Sequence, residues 1–154
     1  MNITVDEQLV RRSVQLAADA VAHGNHPFGA LLAKDGQVLL EAENTIYTGK
    51  DVTNHAETNL VRLAVQHYDF AFLEGCVLYT STEPCAMCSG AIYWSGVGTV
   101  VYACSAPRLA EFAGIGLEIR SREVFASGTR KVILVGPVLE DEAIAVHAGY
   151  WKPS

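Results

Sequence analysis

Cys76-Val77-Leu78-Tyr79-Thr80-Ser81-Thr82-Glu83-Pro84-Cys85-Ala86-Met87-Cys88 reads as a strand that runs directly into a helix. The apolar opening over 76–80 has the length and composition of a buried strand. Proline suits the first helical position, because its missing N–H would have no partner there anyway. A helix is therefore expected from Pro84 to about Ser95-Gly96, followed by strands at 99–103 and 131–135. The stretch between those strands, with Ala113-Gly114-Ile115-Gly116, reads as irregular or helical, and residues 140–150 read as a last helix. Upstream, Lys34-Asp35-Gly36 separates apolar runs at 28–33 and 37–43, and Asp-Gly in that setting signals a hairpin. A polar loop over 44–54 then leads to a helix over 55–67, with Ala56, Leu60, Leu63 and Ala64 as its buried stripe and Thr53 or Asn54 as cap. Thr4 and Glu7 form a capping-box pattern ahead of Leu9, Val10, Val14, Ala17, Ala18 and Val21, whose helical spacing ends at His23-Gly24. Helices alternating with short apolar strands after a hairpin give the α/β class, a mixed sheet covered on both faces in a three-layer α/β/α arrangement. With no repeat, low-complexity tract or linker, one domain over 1–154 is expected.

Half the residues are hydrophobic (50%) and only 18% are charged, which excludes a disordered chain. A chain of this length buries roughly 70% of its unfolded surface, so neither disulfide nor metal is needed merely to fold. The 11 Lys and Arg against 17 Asp and Glu give a net charge of −6, which argues against a sequence-independent grip on nucleic acid. Up to residue 90 the balance is 5 basic to 11 acidic, and beyond it 6 to 6, so the whole excess lies in the first part. No basic leader with an apolar run opens the chain, and Val132-Ile133-Leu134-Val135 is too short to span a bilayer. A cytoplasmic protein without a membrane partner is expected. In that reducing compartment the four cysteines read as thiols or metal ligands: Cys85 and Cys88 form a C-x-x-C, while Cys76 and Cys104 sit alone in apolar segments.

His55-Ala56-Glu57 supplies the other half of the chemistry. Cys85 and Cys88, three apart, share one helical face, and a helix N-terminus favours their thiolates. His55 and Glu57, two apart, would diverge on a regular helix, so His55 must sit at its very edge to serve the same site. Two thiolates and an imidazole make a zinc set that leaves a fourth position for water, and Glu57 is placed to move that water's protons as general acid and base. The alternative is a closed structural zinc, with His23, His26, His67, His147, Cys76 or Cys104 as fourth ligand. H-x-E followed by P-C-x-x-C is the signature of zinc deaminases that act on nucleobases.

On these residues the chain resembles the cytidine deaminase-like superfamily, in particular its small guanine, cytosine and tRNA adenosine deaminase branch. The resemblance covers at least residues 24–103. Pro27-Phe28-Gly29-Ala30, the stretch from Thr80 to Cys88, and Gly90-Ala91-Ile92-Tyr93-Trp94 look most like bacterial guanine deaminases and related free-base deaminases. The resemblance implies a central five-stranded sheet, one zinc per subunit held by His55, Cys85 and Cys88, hydrolytic deamination with Glu57 as proton shuttle, and a homodimer. It further implies that Asn44 hydrogen-bonds the ring and that Phe28, Ala30, Ala56 and Trp94 line the pocket. His26 reads as a loop histidine, and Tyr150-Trp151 as a docked helix end or a lid. Past the last strand that the resemblance recognises, such enzymes place an acid near the substrate; here Glu111 is the candidate. The departure around Glu111 to Gly116 leaves guanine, cytosine, isoguanine and aminated triazines open as small-molecule substrates. A tRNA adenosine deaminase and a non-enzymatic zinc-binding relative are the alternatives. For the former the tail offers only Arg130, Lys131 and Lys152 against Glu140, Asp141 and Glu142.

Overall fold

The computed structural model describes residues 4–151. Helix α1 spans Glu7–Ala22 and is capped by Asp6, whose carboxylate accepts the Gln8 and Leu9 N–H groups at 3.0 and 3.4 Å. Thr4, expected as the cap, lies outside the helix because Asp6 already satisfies those first donors. Strands β1 (Gly29–Lys34) and β2 (Gln37–Glu43) form the hairpin, turning through Asp35 and Gly36 at φ 51° and 78°, the left-handed pair that a tight two-residue turn requires. The loop that follows contains one helical turn, α2 (Ile46–Gly49), before α3 (Ala56–His67). A short α4 (Phe70–Glu74), capped by Asp69, precedes β3 (Val77–Thr82). Helix α5 spans Ala86–Ser95 with Cys85 as its N-cap, so Pro84 stands just before the helix rather than opening it. Then come β4 (Thr99–Cys104), α6 (Ala106–Ala113), α7 (Ser121–Ala126), β5 (Ile133–Val135) and α8 (Glu140–Ile144). The last helix is shorter than expected: it tightens into a 3-10 turn at Ala145–His147, and Ala148 is extended.

The strands lie in the order β2-β1-β3-β4-β5, antiparallel across the first two contacts and parallel across the last two, which makes the sheet mixed and five-stranded. Adjacent residues on a strand face opposite sides. Leu32, Leu78 and Val100 accordingly join Leu60, Ile92 and Phe125 in one core against α3, α5 and α7. Leu31, Tyr79 and Val101 join Val10, Leu16 and Ile144 in a second core against α1 and α8. The expected three layers follow from this alternation.

Gly29 is where α1 meets β1 most closely. A Cβ there would lie 2.5 Å from Leu16 Cβ and 2.6 Å from both Ala17 N and Ser13 O. Gly29→Ala is expected to cost about 1–3 kcal/mol through overpacking, read as a lower denaturant midpoint at constant slope. An unchanged midpoint would mean that α1 does not pack on β1 this tightly.

The pairings Gly29↔Glu43, Ala30↔Thr80 and Thr82↔Cys104 bring the start of β1 and the ends of β2, β3 and β4 to one end of the sheet. Ligand sites in α/β proteins form beyond the carboxyl ends of parallel strands, and the residues with chemistry gather at this end.

Candidate active site and metal centre

His55 is the N-cap of α3, with extended backbone at φ −71° and ψ 156°, and Cys85 is the N-cap of α5 at φ −68° and ψ 176°. These two non-helical residues turn their side chains toward each other across the α3–α5 contact. His55 Nδ1 lies 3.6 Å from Cys85 Sγ and 3.5 Å from Cys88 Sγ, and all three potential ligand atoms fall within 4.8 Å of one another. A tetrahedral zinc, with bonds of about 2.3 Å to sulfur and about 2.0 Å to nitrogen, sets sulfur and nitrogen roughly 3.5 Å apart. The three side chains therefore fit zinc without rearrangement. Among the described residues no further histidine, cysteine or carboxylate joins this cluster, so the closed four-ligand alternative lacks its fourth member.

Glu57, one residue into α3, is buried at 5% exposure beside the cluster. Burial first, and then the negative charge of Cys85, push its carboxyl up to about 7. A hydrogen bond from Cys88, together with His55, holds the Cys85 thiol down at about 4, while the same bond and burial push Cys88 up. His55 is raised, chiefly by its hydrogen bond to Cys85. Cys85 is thus the readiest of the three to ionise, and a dication bound here would displace protons from the ligands that hold it. Cys85 and Pro84 also form one side of an open cleft of about 560 Å³, whose other side is the segment from α6 to Arg120, including Leu117 and Glu118. A proton-accepting carboxyl lies beside the three-ligand metal set, and Cys85 of that set borders a cleft large enough for a heterocycle.

Residues 3–104 match the cytidine and deoxycytidylate deaminase zinc-binding region. The chain belongs to this deaminase family. The probable cytosine deaminase of Schizosaccharomyces pombe is 39% identical over 95% of this chain and 92% of its own length. The guanine deaminase of Bacillus subtilis is 44% identical over 63% of this chain and 63% of its own. A tRNA-specific adenosine deaminase of Aquifex aeolicus is 34% identical over 62% of this chain and 64% of its own. Among solved structures, the guanine deaminase of Nitrosomonas europaea superposes with a TM-score of 0.82 at 25% identity, covering 97% of this chain and 86% of that one. Membership makes the protein a hydrolase of C–N bonds on nucleobase-type rings, with zinc as the metal that suits its cysteine and histidine set.

The deaminase places its other expected site residues unevenly. Asn44 is buried at the end of β2, where its N–H donates to Phe28 O at 3.0 Å and its Oδ1 accepts the Ile46 N–H at 3.1 Å. Phe28 is half-buried between the core and the tail, its ring 5.5 Å from His147 and 6.2 Å from Trp151. Ala30 and Ala56 are fully buried in the core under the site. Trp94 is 80% exposed, its ring edge-on to Tyr93. It lies two positions past buried Ile92 and so points to nearly the opposite side of α5, away from Phe28. Glu111 is also at the surface, paired with Arg108 one turn earlier, and the acids bordering the cleft are Glu83 and Glu118. Counting acids by nearness to the strand favours Glu111; only the path of the loop after α6 brings Glu118 round.

His26 is no free loop histidine: its ring stacks on Trp151 at 4.9 Å and Nδ1 bonds the Tyr150 hydroxyl at 2.7 Å. Trp151 Nε1–H donates to His147 Nδ1 at 3.0 Å, which fixes the neutral tautomer of a buried histidine whose pKa burial lowers to about 4. His147 and Trp151 are thereby docked against Phe28. The sequence motif gives Glu83 no role of its own. In the structure it is a buried carboxylate that joins β3, α6 and α7. Burial alone would raise its pKa, but Arg120, the Ala106 N–H and Ser121 together hold it below the ordinary value.

Proposed function

We propose that this single-domain chain is a zinc-dependent hydrolytic deaminase of free aminated nucleobases or related aza-aromatic rings, releasing ammonia. The observation that carries the reading is a buried proton carrier, Glu57, beside a three-ligand set with no fourth protein ligand among the described residues. His55, Cys85 and Cys88 would hold the metal, and zinc, when bound, supplies the acidity that lets water ionise near neutral pH. Glu57 takes a proton from water, delivers it to the ring nitrogen beside the reacting carbon, and protonates the departing amine. A C–O bond forms from the water oxygen, which stays on the ring as the carbonyl, and the C–N bond breaks as the exocyclic amine leaves as ammonia; one water proton ends on the ring nitrogen and the other on the ammonia. Phe28 offers the ring a flat apolar face, Ala30 and Ala56 support it from the core, and the amide nitrogen of Asn44 is the end left to hydrogen-bond it. The surplus of acidic residues up to residue 90, where most of these groups lie, favours a neutral heterocycle over a polyanion. Trp94, 80% exposed, offers apolar surface for the contact that a homodimer needs.

Ammonia release from zinc-loaded protein with cytosine, guanine, isoguanine, ammeline and their nucleosides tests the reading. Turnover of at least one free base is expected, and silence across the panel overturns it. The relative among tRNA-specific adenosine deaminases adds one arm, an anticodon stem-loop with adenosine at the wobble position. Inosine formed there, with binding that weakens steeply with salt, would replace the free-base reading with RNA editing.

A further inference from the structure

The cleft wall opposite Cys85 has little of its own to hold it. Between Gly114, at φ 72°, and Arg120 the chain has no regular structure, and Ile115, Leu117 and Ile119 are 82%, 64% and 48% exposed. A segment with so few buried apolar contacts should open easily unless its ends are fixed. One carboxylate holds the start of α6, the helix that leads into the segment, and the start of α7, which follows it. At the start of α6 the Ala106 N–H donates to Glu83 Oε1 at 3.0 Å. At the start of α7, Arg120 donates through Nη2 to Oε1 at 2.8 Å and through Nε to Oε2 at 3.0 Å. The Ser121 N–H and hydroxyl also reach Oε2, at 3.2 and 2.7 Å. The Glu83 N–H in turn donates to Cys104 O at 2.7 Å, tying the carboxylate's own backbone to the end of β4. The Glu83 side chain is 1% exposed and that of Arg120 28%, so this bidentate pair is largely shielded from water.

We propose that the Glu83–Arg120 pair is a positioning device that fixes the width of the cleft between Cys85 and the 114–119 wall, and with it the size of ring the deaminase accepts. The geometry gives the pair this reach because Glu83 lies two residues before Cys85 on one side of the cleft and, on the other, holds the start of the helix that leads into the wall and the residues that end it. Arg120 is the part that can be removed with least collateral damage. Without it, Glu83 keeps its bonds to Ala106 and Ser121, so α6 and α7 stay seated while the end of the wall next to α7 loosens. Glu83→Gln is harsher, since an amide NH₂ would face the donors that now converge on a carboxylate.

The ring-size part rests on the free-base reading above; the clamp itself does not. The test compares zinc-loaded wild type, Arg120→Gln, Arg120→Lys and Glu83→Gln by hydrogen exchange of amides 114–119, zinc content, and KM and kcat for cytosine and guanine. In Arg120→Gln, exchange of 114–119 is expected to quicken about tenfold, as loss of a charge-assisted hydrogen bond implies. Zinc content should stay near one per chain. KM should rise and the ratio of kcat/KM between the one-ring and two-ring bases should shift several-fold, with kcat changed far less. Arg120→Lys should recover part of each effect. Unchanged exchange in Arg120→Gln overturns the clamp. Faster exchange with unchanged KM and base preference overturns its role in ring size, as does a loss confined to zinc and kcat. If wild type deaminates neither base, the ring-size role falls with the free-base reading, and exchange still decides the clamp. Should Glu83→Gln fail to fold, the two Arg120 variants decide the outcome alone.

Discussion

Glu57→Gln is expected to keep its zinc and lose turnover, with kcat falling about 10²–10⁴-fold, the usual worth of a positioned general acid and base. The side chain is 5% exposed, directly after Ala56 and two residues after His55, so an isosteric amide preserves the packing of α3 against the core. What the amide cannot do is give and take a proton. Burial raises this carboxyl to about 7, so it takes up a proton more readily than an ordinary glutamate, which suits it to accept one from water and return it to a leaving amine. The sign for stability is opposite to that for activity. Burying a carboxylate costs free energy that a neutral amide does not incur, so the variant should unfold at an equal or higher temperature than wild type at pH 8. Zinc per chain, kcat for the best substrate of the panel, and a thermal midpoint together check this. Undiminished kcat would remove Glu57 from the proton path, and zinc lost in step with kcat would make it a support of the metal ligands instead.

The sequence carried much of this site because its information is local. Period-two alternation in Leu31-Leu32, Leu78-Tyr79 and Val100-Val101 places each strand between two layers, and the Asp35-Gly36 turn fixes the hairpin. The puzzle of His55 and Glu57, two apart yet serving one site, has one local solution, a cap in extended conformation, and His55 adopts it. Short helices escaped for a related reason: α2 and α4, at 4 and 5 residues, are too brief for apolar periodicity to register. Residues whose role depends on a distant partner were not legible at all. Glu83 meets Arg120 across 37 positions, and His26 meets Tyr150 across 124, and no spacing rule joins them. The place of Glu118 at the cleft is illegible for the same cause. Glu111 is nearer the strand in sequence, but it lies on α6, where its helical neighbour Arg108 takes it up, while the irregular path after Gly114 carries Glu118 to the cleft.

The largest loss should come from Cys88→Ser, because it removes a ligand and not a step. Cys88 is fully buried in the first turn of α5, with its sulfur 3.5 Å from His55 Nδ1, and nothing else in the cluster can take its place. A serine hydroxyl does not ionise near neutral pH as a metal-bound thiol does, and its shorter side chain holds the oxygen back from where the sulfur sits. After a chelator wash, zinc per chain is expected to fall from near one to near zero and turnover to background, below the residual rate of Glu57→Gln. Stability separates the two variants independently of any substrate. A ligand that binds only the folded chain stabilises it by RT ln(1 + [L]/Kd), about 4 kcal/mol at a thousandfold excess over Kd. Wild type and Glu57→Gln should therefore lose several degrees of thermal midpoint when chelated, whereas Cys88→Ser should show no chelator shift and start from the lowered value. A Cys88→Ser protein that kept one zinc and the wild-type midpoint would take this thiolate out of the ligand set, and the three-ligand basis for an open catalytic site would go with it.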